Sequence, residues 1–240
     1  MEKLKAGAGK LGINLDTWQL EQFRIYYQEL IEWNKKINLT RITSYEGVQL
    51  KHFLDSLTVA PAMRPPDAEG TLKVIDIGTG AGLPGVPLKI AFPGINLTLL
   101  EATVKKTKFL QHLVGKLGLD NVQIVAGRAE DAARSPRYRE GFDLVLARAV
   151  ASLPALVELA LPFCNASGRF IAQKKGEVQG EIEKSRQAIG ILGGVLREIR
   201  PVIVAGPDDN RCLVIIDKVR PTPPEYPRRP GIPVKKPLVS

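Results

Sequence analysis

The segment Val74-Ile75-Asp76-Ile77-Gly78-Thr79-Gly80-Ala81-Gly82-Leu83-Pro84-Gly85 constrains this chain most. An apolar strand runs into a turn with glycine at 78, 80 and 82. Glycine lets the backbone turn tightly and approach a ligand, because no Cβ stands in the way. Alone, such a turn also fits a purely structural role. The flanking pattern extends the argument. Apolar runs predict strands at 72–77, 95–101, 122–125, 142–147 and 169–173, with helices at 104–117, 153–164 and 178–192 between them. Strands at 196–204 and 212–218, joined by a turn at 206–210, are spaced to pair as a hairpin. Strand–helix alternation predicts an α/β fold with a mostly parallel sheet and helices on both faces.

Residues 1–66 read differently. Leu20, Phe23, Tyr27, Leu30 and Ile31 recur at helical spacing, Asp16 is a candidate N-cap, and Thr43 with Glu46 fits a capping box opening a second helix that stops before Pro61. This zone is expected to form a helical cap, with 65–70 as linker into a domain at 67–218. The last 22 residues hold seven of the 18 prolines and five basic residues against one acidic, a net of +4 within a total of +9. They are expected to lie extended as a basic tail. A basic balance favours a polyanionic partner. No apolar run nears the ~20 residues of a membrane span, and residues 1–5 lack the apolar core of a signal peptide. Cys164 and Cys212 lie in apolar stretches and read as buried thiols rather than metal ligands. A cytoplasmic location is expected.

The glycine spacing separates two ligand classes. A dinucleotide fingerprint needs a glycine at the sixth position, which is Leu83 here. The pattern resembles the Asp/Glu-x-Gly-x-Gly-x-Gly loop of class I (Rossmann-like) methyltransferases. That resemblance implies S-adenosylmethionine as donor, with Asp76, Gly78, Gly80 and Gly82 in its site. It also implies a seven-stranded sheet whose last strand inserts antiparallel. Glu101 lies 23 residues beyond Gly78, at the offset where a strand-end acid binds ribose hydroxyls. The alternative is a strand-end carboxylate facing water. In the stretch 127–131, backbone amides and a carboxylate could meet an adenine edge, although the same residues fit a polar helix cap.

After the fourth strand there is no Asn/Asp-Pro-Pro-Tyr/Phe tetrapeptide to hold an exocyclic amine, and no cysteine there for carbon-5 chemistry. Guanine N7 needs neither device, because its lone pair is free and no proton leaves it. Arg148 sits in an apolar setting at the C-terminal end of a central strand, where sites of open sheets gather. A surface arginine paired with a carboxylate is the alternative.

Taken together, Asn38-Leu39-Thr40, 52–57, 76–85, Glu101 with Lys105-Lys106 and Phe109-Leu110, 127–130, 147–153 and Lys175-Gly176 resemble the RsmG (GidB) family. The resemblance runs from about Leu20 to Lys218. It implies donor contacts at Gly78, Leu83, Ala129, Glu130 and Arg148, and a 16S ribosomal RNA substrate in the 530-loop region. The implied product is 7-methylguanine, formed by direct in-line transfer without a covalent intermediate. Ala102 departs from the serine expected beside the strand-two acid. His52 and Asp55, three apart, share a helix face; the family likeness turns that face toward the catalytic cleft, and a buried histidine satisfied by its neighbour is the alternative. Lys175, Arg228, Arg229, Lys235 and Lys236 are candidate RNA contacts, unless the tail packs on the domain. Neither a metal nor a membrane partner is expected, and a monomer acting on the small subunit or an assembly intermediate is. Rival readings are a methyltransferase of another substrate and a non-catalytic adenosylmethionine- or RNA-binding module.

Overall fold

The computed structural model describes residues 1–63, 71–204, 206 and 209–238. The expected linker at 65–70 lies outside them, as does part of the turn at 206–210.

The chain opens with helices α1 (Glu2–Lys10) and α2 (Thr17–Asn34). Asp16 caps α2 as expected, accepting from the Gln19 amide while the Gln19 side chain accepts from the Asp16 amide. The next helical stretch runs unbroken through α3 (Tyr45–Val48), a π-helical turn (Gln49–Leu54) and α4 (Asp55–Leu57). Its cap is Ser44, whose hydroxyl accepts from Gly47, and not Thr43. The buried face of α2 is Gln22, Phe23, Tyr26 and Leu30, so Tyr26 replaces Tyr27 in the expected stripe. Positions 23, 26 and 30 are as helical in spacing as 23, 27 and 30; packing against the sheet decided between them.

The sheet comprises β1 (Lys73–Ile77), β2 (Asn96–Glu101), β3 (Val122–Ala126), β4 (Phe142–Arg148), β5 (Cys164–Lys175), β6 (Gly194–Val202) and β7 (Arg211–Lys218), ordered β3-β2-β1-β4-β5-β7-β6. The first five strands are mutually parallel; β7 inserts antiparallel to β5 and β6. Between them come α5 (Gly85–Ala91), α6 (Val104–Leu117), α7 (Ala129–Arg134), α8 (Leu153–Ala160) and α9 (Gln179–Ile191), and α10 (Ile232–Lys235) follows β7. The expected seven-stranded class I methyltransferase architecture is present.

Alternation along the strands divides the core. Val74, Leu144 and Leu146 face one cluster with Phe23, Tyr26, Phe53, Phe109 and Leu110; Ile75, Ile77, Val145 and Ala147 face another with α8 and α9. The first cluster contains Leu4, Leu30 and Leu57 beside Leu213 and Ile215, so the N-terminal helices share a core with the sheet.

The tail is not simply extended. Tyr226 and Leu238 pack against the second cluster, Pro233 is buried, and 232–235 form one helical turn. Arg139 donates to the carbonyls of Thr222, Pro223 and Tyr226, and the buried Lys218 ammonium donates to Glu140, Leu161 O, Cys164 O and Thr222. The Arg139 guanidinium, and the Glu140 carboxylate that accepts from the Thr222 amide, thereby supply partners to the proline-rich backbone beyond its own few bonds. Both cysteines are buried, and burial pushes the Cys164 thiol up to about 12.

Candidate active site

β1 delivers the glycine turn to the C-terminal edge of the sheet, where the Gly78 and Thr79 amides donate to Leu100 O. Asp76, wholly buried, ties the two ends of the turn together: its Oδ2 accepts from the Thr79 hydroxyl (2.5 Å) and the Gly85 amide (2.9 Å). Its Oδ1 is buried without a hydrogen-bond partner among the described residues. Burial is the main cause raising this carboxyl to about 7, against the opposing bonds from Thr79 and Gly85. From the far side, the Tyr26 hydroxyl donates to Ala81 O at 2.5 Å, and burial raises its pKa. Helix α2 therefore braces the turn.

Two glycines show why the sequence takes this form. Gly82, at φ +90°, would bring a Cβ within 2.7 Å of Val86 Cγ2 and 3.0 Å of the Tyr26 hydroxyl. Gly80, at φ +61°, meets no atom nearer than 3.9 Å, so its outer side is open. Next to it stands Glu101, 6% exposed, accepting from the Gly80 amide (3.0 Å) and the Thr103 amide (2.7 Å). Each carboxylate oxygen retains a further acceptor site. A carboxylate beside an open backbone turn fits a ribose diol.

Glu130, in the first turn of α7, is buried. Its Oε1 accepts from the Gly231 amide at 2.8 Å, and no hydrogen bond to its Oε2 occurs among the described residues. Leu83 buries its side chain in the core, leaving its backbone for any ligand contact.

A second constellation lies at the ends of β4 and β5. Arg148 donates to Asp55 Oδ2 at 2.9 Å, and Arg211 lies 3.0 Å from Asp55 Oδ1. Gln173, the register partner of Arg148, donates to Asp55 O at 2.7 Å. His52 Nε2 pairs with the Thr40 hydroxyl at 2.7 Å. Burial, then the charge of Arg148, holds its imidazole down to about 4. His52, Asp55, Arg148, Gln173 and Arg211, with Lys51, Lys174 and Lys175, line a cavity of about 450 Å³. The chain crosses above it with Ala149 at φ +56°, an uncommon conformation for a side-chain-bearing residue.

The structure thus joins Asp76, Gly78, Gly80 and Gly82 in one turn with Glu101 bonded to it, and Arg148, His52, Asp55 and Lys175 around one cavity. Ala129 and Glu130 open α7. Arg228 is turned inward onto Glu158, while Arg229, Lys235 and Lys236 are exposed. Tyr26, Gln173 and Arg211 were not apparent from sequence. Tyr26 carried a usable signal in its spacing from Phe23 and Leu30; the other two had no local pattern.

The family model described as rRNA small subunit methyltransferase G matches residues 19–204. Ribosomal RNA small subunit methyltransferase G of Dehalococcoides mccartyi (strain CBDB1) is 48% identical over 239 residues, covering 100% of both chains. The protein of that name from Roseiflexus castenholzii is 45% identical, again covering 100% of both. Among solved structures, a putative O-methyltransferase from Klebsiella pneumoniae superposes with TM-score 0.54 at 15% identity, covering 81% of this chain and 90% of that one. A precorrin-6y C5,15-methyltransferase from Geobacter metallireducens superposes at 0.50 and 15% identity, covering 70% and 88%. These structural likenesses concern the fold.

Proposed function

Because the chain belongs to the rRNA small subunit methyltransferase G family, we propose that it transfers a methyl group from S-adenosylmethionine to N7 of a guanine in the 530-loop region of 16S ribosomal RNA. The observation that carries this reading is that β1, whose glycine turn bears the first of two features, pairs directly with β4, whose end bears the second. One is the carboxylate of Glu101 bonded to the amide of the open Gly80; the other is the cation-lined cavity at the ends of β4 and β5.

Glu101 holds the ribose hydroxyls of the donor, and the turn from Gly78 to Leu83 presents backbone to it. Ala129 and Glu130 would border the adenine, with the Glu130 carboxylate available to the base edge. Asp76 keeps the turn in shape. When bound, the donor would supply a methyl group as an electrophile to the lone pair of guanine N7, with a neutral thioether as the leaving group. No proton leaves N7, so the chain needs no general base for this step. The chain's contribution is placement, worth ~7–11 kcal/mol in favourable cases. Arg148, held by Asp55, faces the cavity where the base is seated. Lys175, Arg229, Lys235 and Lys236 meet phosphates without reading sequence. The reading places the enzyme in the cytoplasm as a monomer, acting on the small subunit or an assembly intermediate.

The test is transfer of labelled methyl to deproteinised 16S RNA and to intact small subunits, followed by mapping of the modified base. A 7-methylguanine in the 530 loop is expected. Label on an exocyclic amine, or none despite donor binding, would overturn the reading.

A further inference from the structure

Residues 226–236 join the two acids of neighbouring helices. Glu158 of α8 is fully buried. Its carboxylate accepts from the Arg228 amide (2.8 Å), Arg228 Nε (2.9 and 3.1 Å) and Arg228 Nη2 (2.6 Å). The same Nη2 donates to Lys236 O at 2.7 Å, closing the segment on itself. Between these anchors, Gly231 adopts φ +81° and directs its amide to Glu130 Oε1 at 2.8 Å.

We propose that this segment is a working part of the donor site: Arg228 and Gly231 are positioning residues that fix the Glu130 carboxylate, leaving Oε2 aimed at the donor. A buried carboxylate on a six-residue helix has several rotamers. One fixed oxygen removes that freedom before the ligand arrives, and preorganisation of this kind appears as affinity. Arg228 acts at a distance, since its bonds to Glu158 set where the Gly231 amide stands. The proposal rests on the reading of Glu130 as a donor contact.

Replacing Arg228 alone would strand a buried Glu158, so the pair is exchanged together as Glu158→Leu/Arg228→Leu. Isothermal titration with S-adenosylmethionine should show binding roughly tenfold weaker, the scale of one charge-assisted hydrogen bond. The kcat at saturating donor and saturating RNA should not change; a merely structural role would not confine the loss to donor affinity. Glu130→Ala, measured in parallel, separates the two failures. If Glu130→Ala binds donor normally, the donor reading of Glu130 falls. If Glu130→Ala weakens binding and the folded double variant does not, the positioning role falls alone. Should the double variant not fold, the unaltered protein still decides. Binding is reciprocal, so S-adenosylmethionine should slow hydrogen exchange across 226–236. No slowing there, with protection seen at 78–85, overturns the proposal.

Discussion

The Asp55 carboxylate lies 2.9 Å from the Arg148 guanidinium and 3.0 Å from that of Arg211. One buried acid thus holds two cations at the mouth of the same cavity, and they do not depend on it equally. If Arg148 is lost, Asp55 keeps Arg211. If Asp55 is lost, two partly buried cations face each other.

Arg148→Ala should therefore fold, losing about 1.5–3 kcal/mol, the range of one charge-assisted bond. Its turnover should drop at least tenfold. Asp55→Ala should lose activity and also ~3–5 kcal/mol of stability, because it breaks a buried ion pair from one side. Urea midpoints and single-turnover rates on both variants check this. Near-normal turnover in Arg148→Ala would remove that residue from the reaction.

Glu101→Ala should weaken S-adenosylmethionine binding roughly ten- to a hundredfold, given ~1.5–3 kcal/mol for a lost charged hydrogen bond. The Gly80 and Thr103 amides lose their acceptor as well. Titration calorimetry on the folded variant reads the effect; unchanged affinity would end the ribose assignment.

Gly80→Ala and Gly78→Val should separate ligand crowding from internal crowding. A Cβ at Gly80 enters open space and costs only the left-handed backbone, ~1–2 kcal/mol. The variant should stay folded and bind donor poorly. A Cβ at Gly78 would come within 2.8 Å of Val150 Cγ2, so Gly78→Val should also lower the melting temperature. Equal melting temperatures for the two variants would contradict this division.

His52 gives a pH signature. Its folded pKa of about 4 lies below the ordinary 6.5, so the unfolded chain takes up a proton that the folded chain refuses. The associated stability is full above pH 6.5 and drains away as pH falls toward 4, by at most about 3 kcal/mol. Asp76 runs the other way: its raised carboxyl contributes stability that declines as pH rises from 3.8 to about 7. Comparing the parent with His52→Gln at each pH cancels the Asp76 trend. The two stability curves should diverge between pH 6.5 and 4; parallel curves would show that His52 titrates normally.

The exposed cations of the tail can be tested without disturbing its packing. Arg229→Gln/Lys235→Gln/Lys236→Gln should lower the salt slope of RNA binding by about 2, at ~0.7 per phosphate contact. The melting temperature should hold. An unaltered slope would take the tail out of the RNA interface.

What was legible in the sequence is what is local. The glycine turn, Glu101 at its strand end, and the period of each strand and helix are all written within a few dozen residues. Asp55 and Arg148 are 93 positions apart, and Glu158 and Arg228 are 70 apart. Neither pair leaves a spacing signal. The tail misled for a related reason. Proline content shows that a backbone has few donors for a regular element, but not that Arg139 and Glu140 wait to bond to it.

The core shared by Leu4 and Leu30 with Leu213 and Ile215 bears on how the chain is made. The ribosome releases the helical segment first, and the strand it packs against nearly last. At ~5–20 residues per second, that leaves an interval of roughly 10–40 s during which Leu4, Phe23 and Leu30 have no completed surface to cover them. A member of this rRNA methyltransferase family would thus spend its own synthesis as a client of whatever shields apolar helices at the exit tunnel.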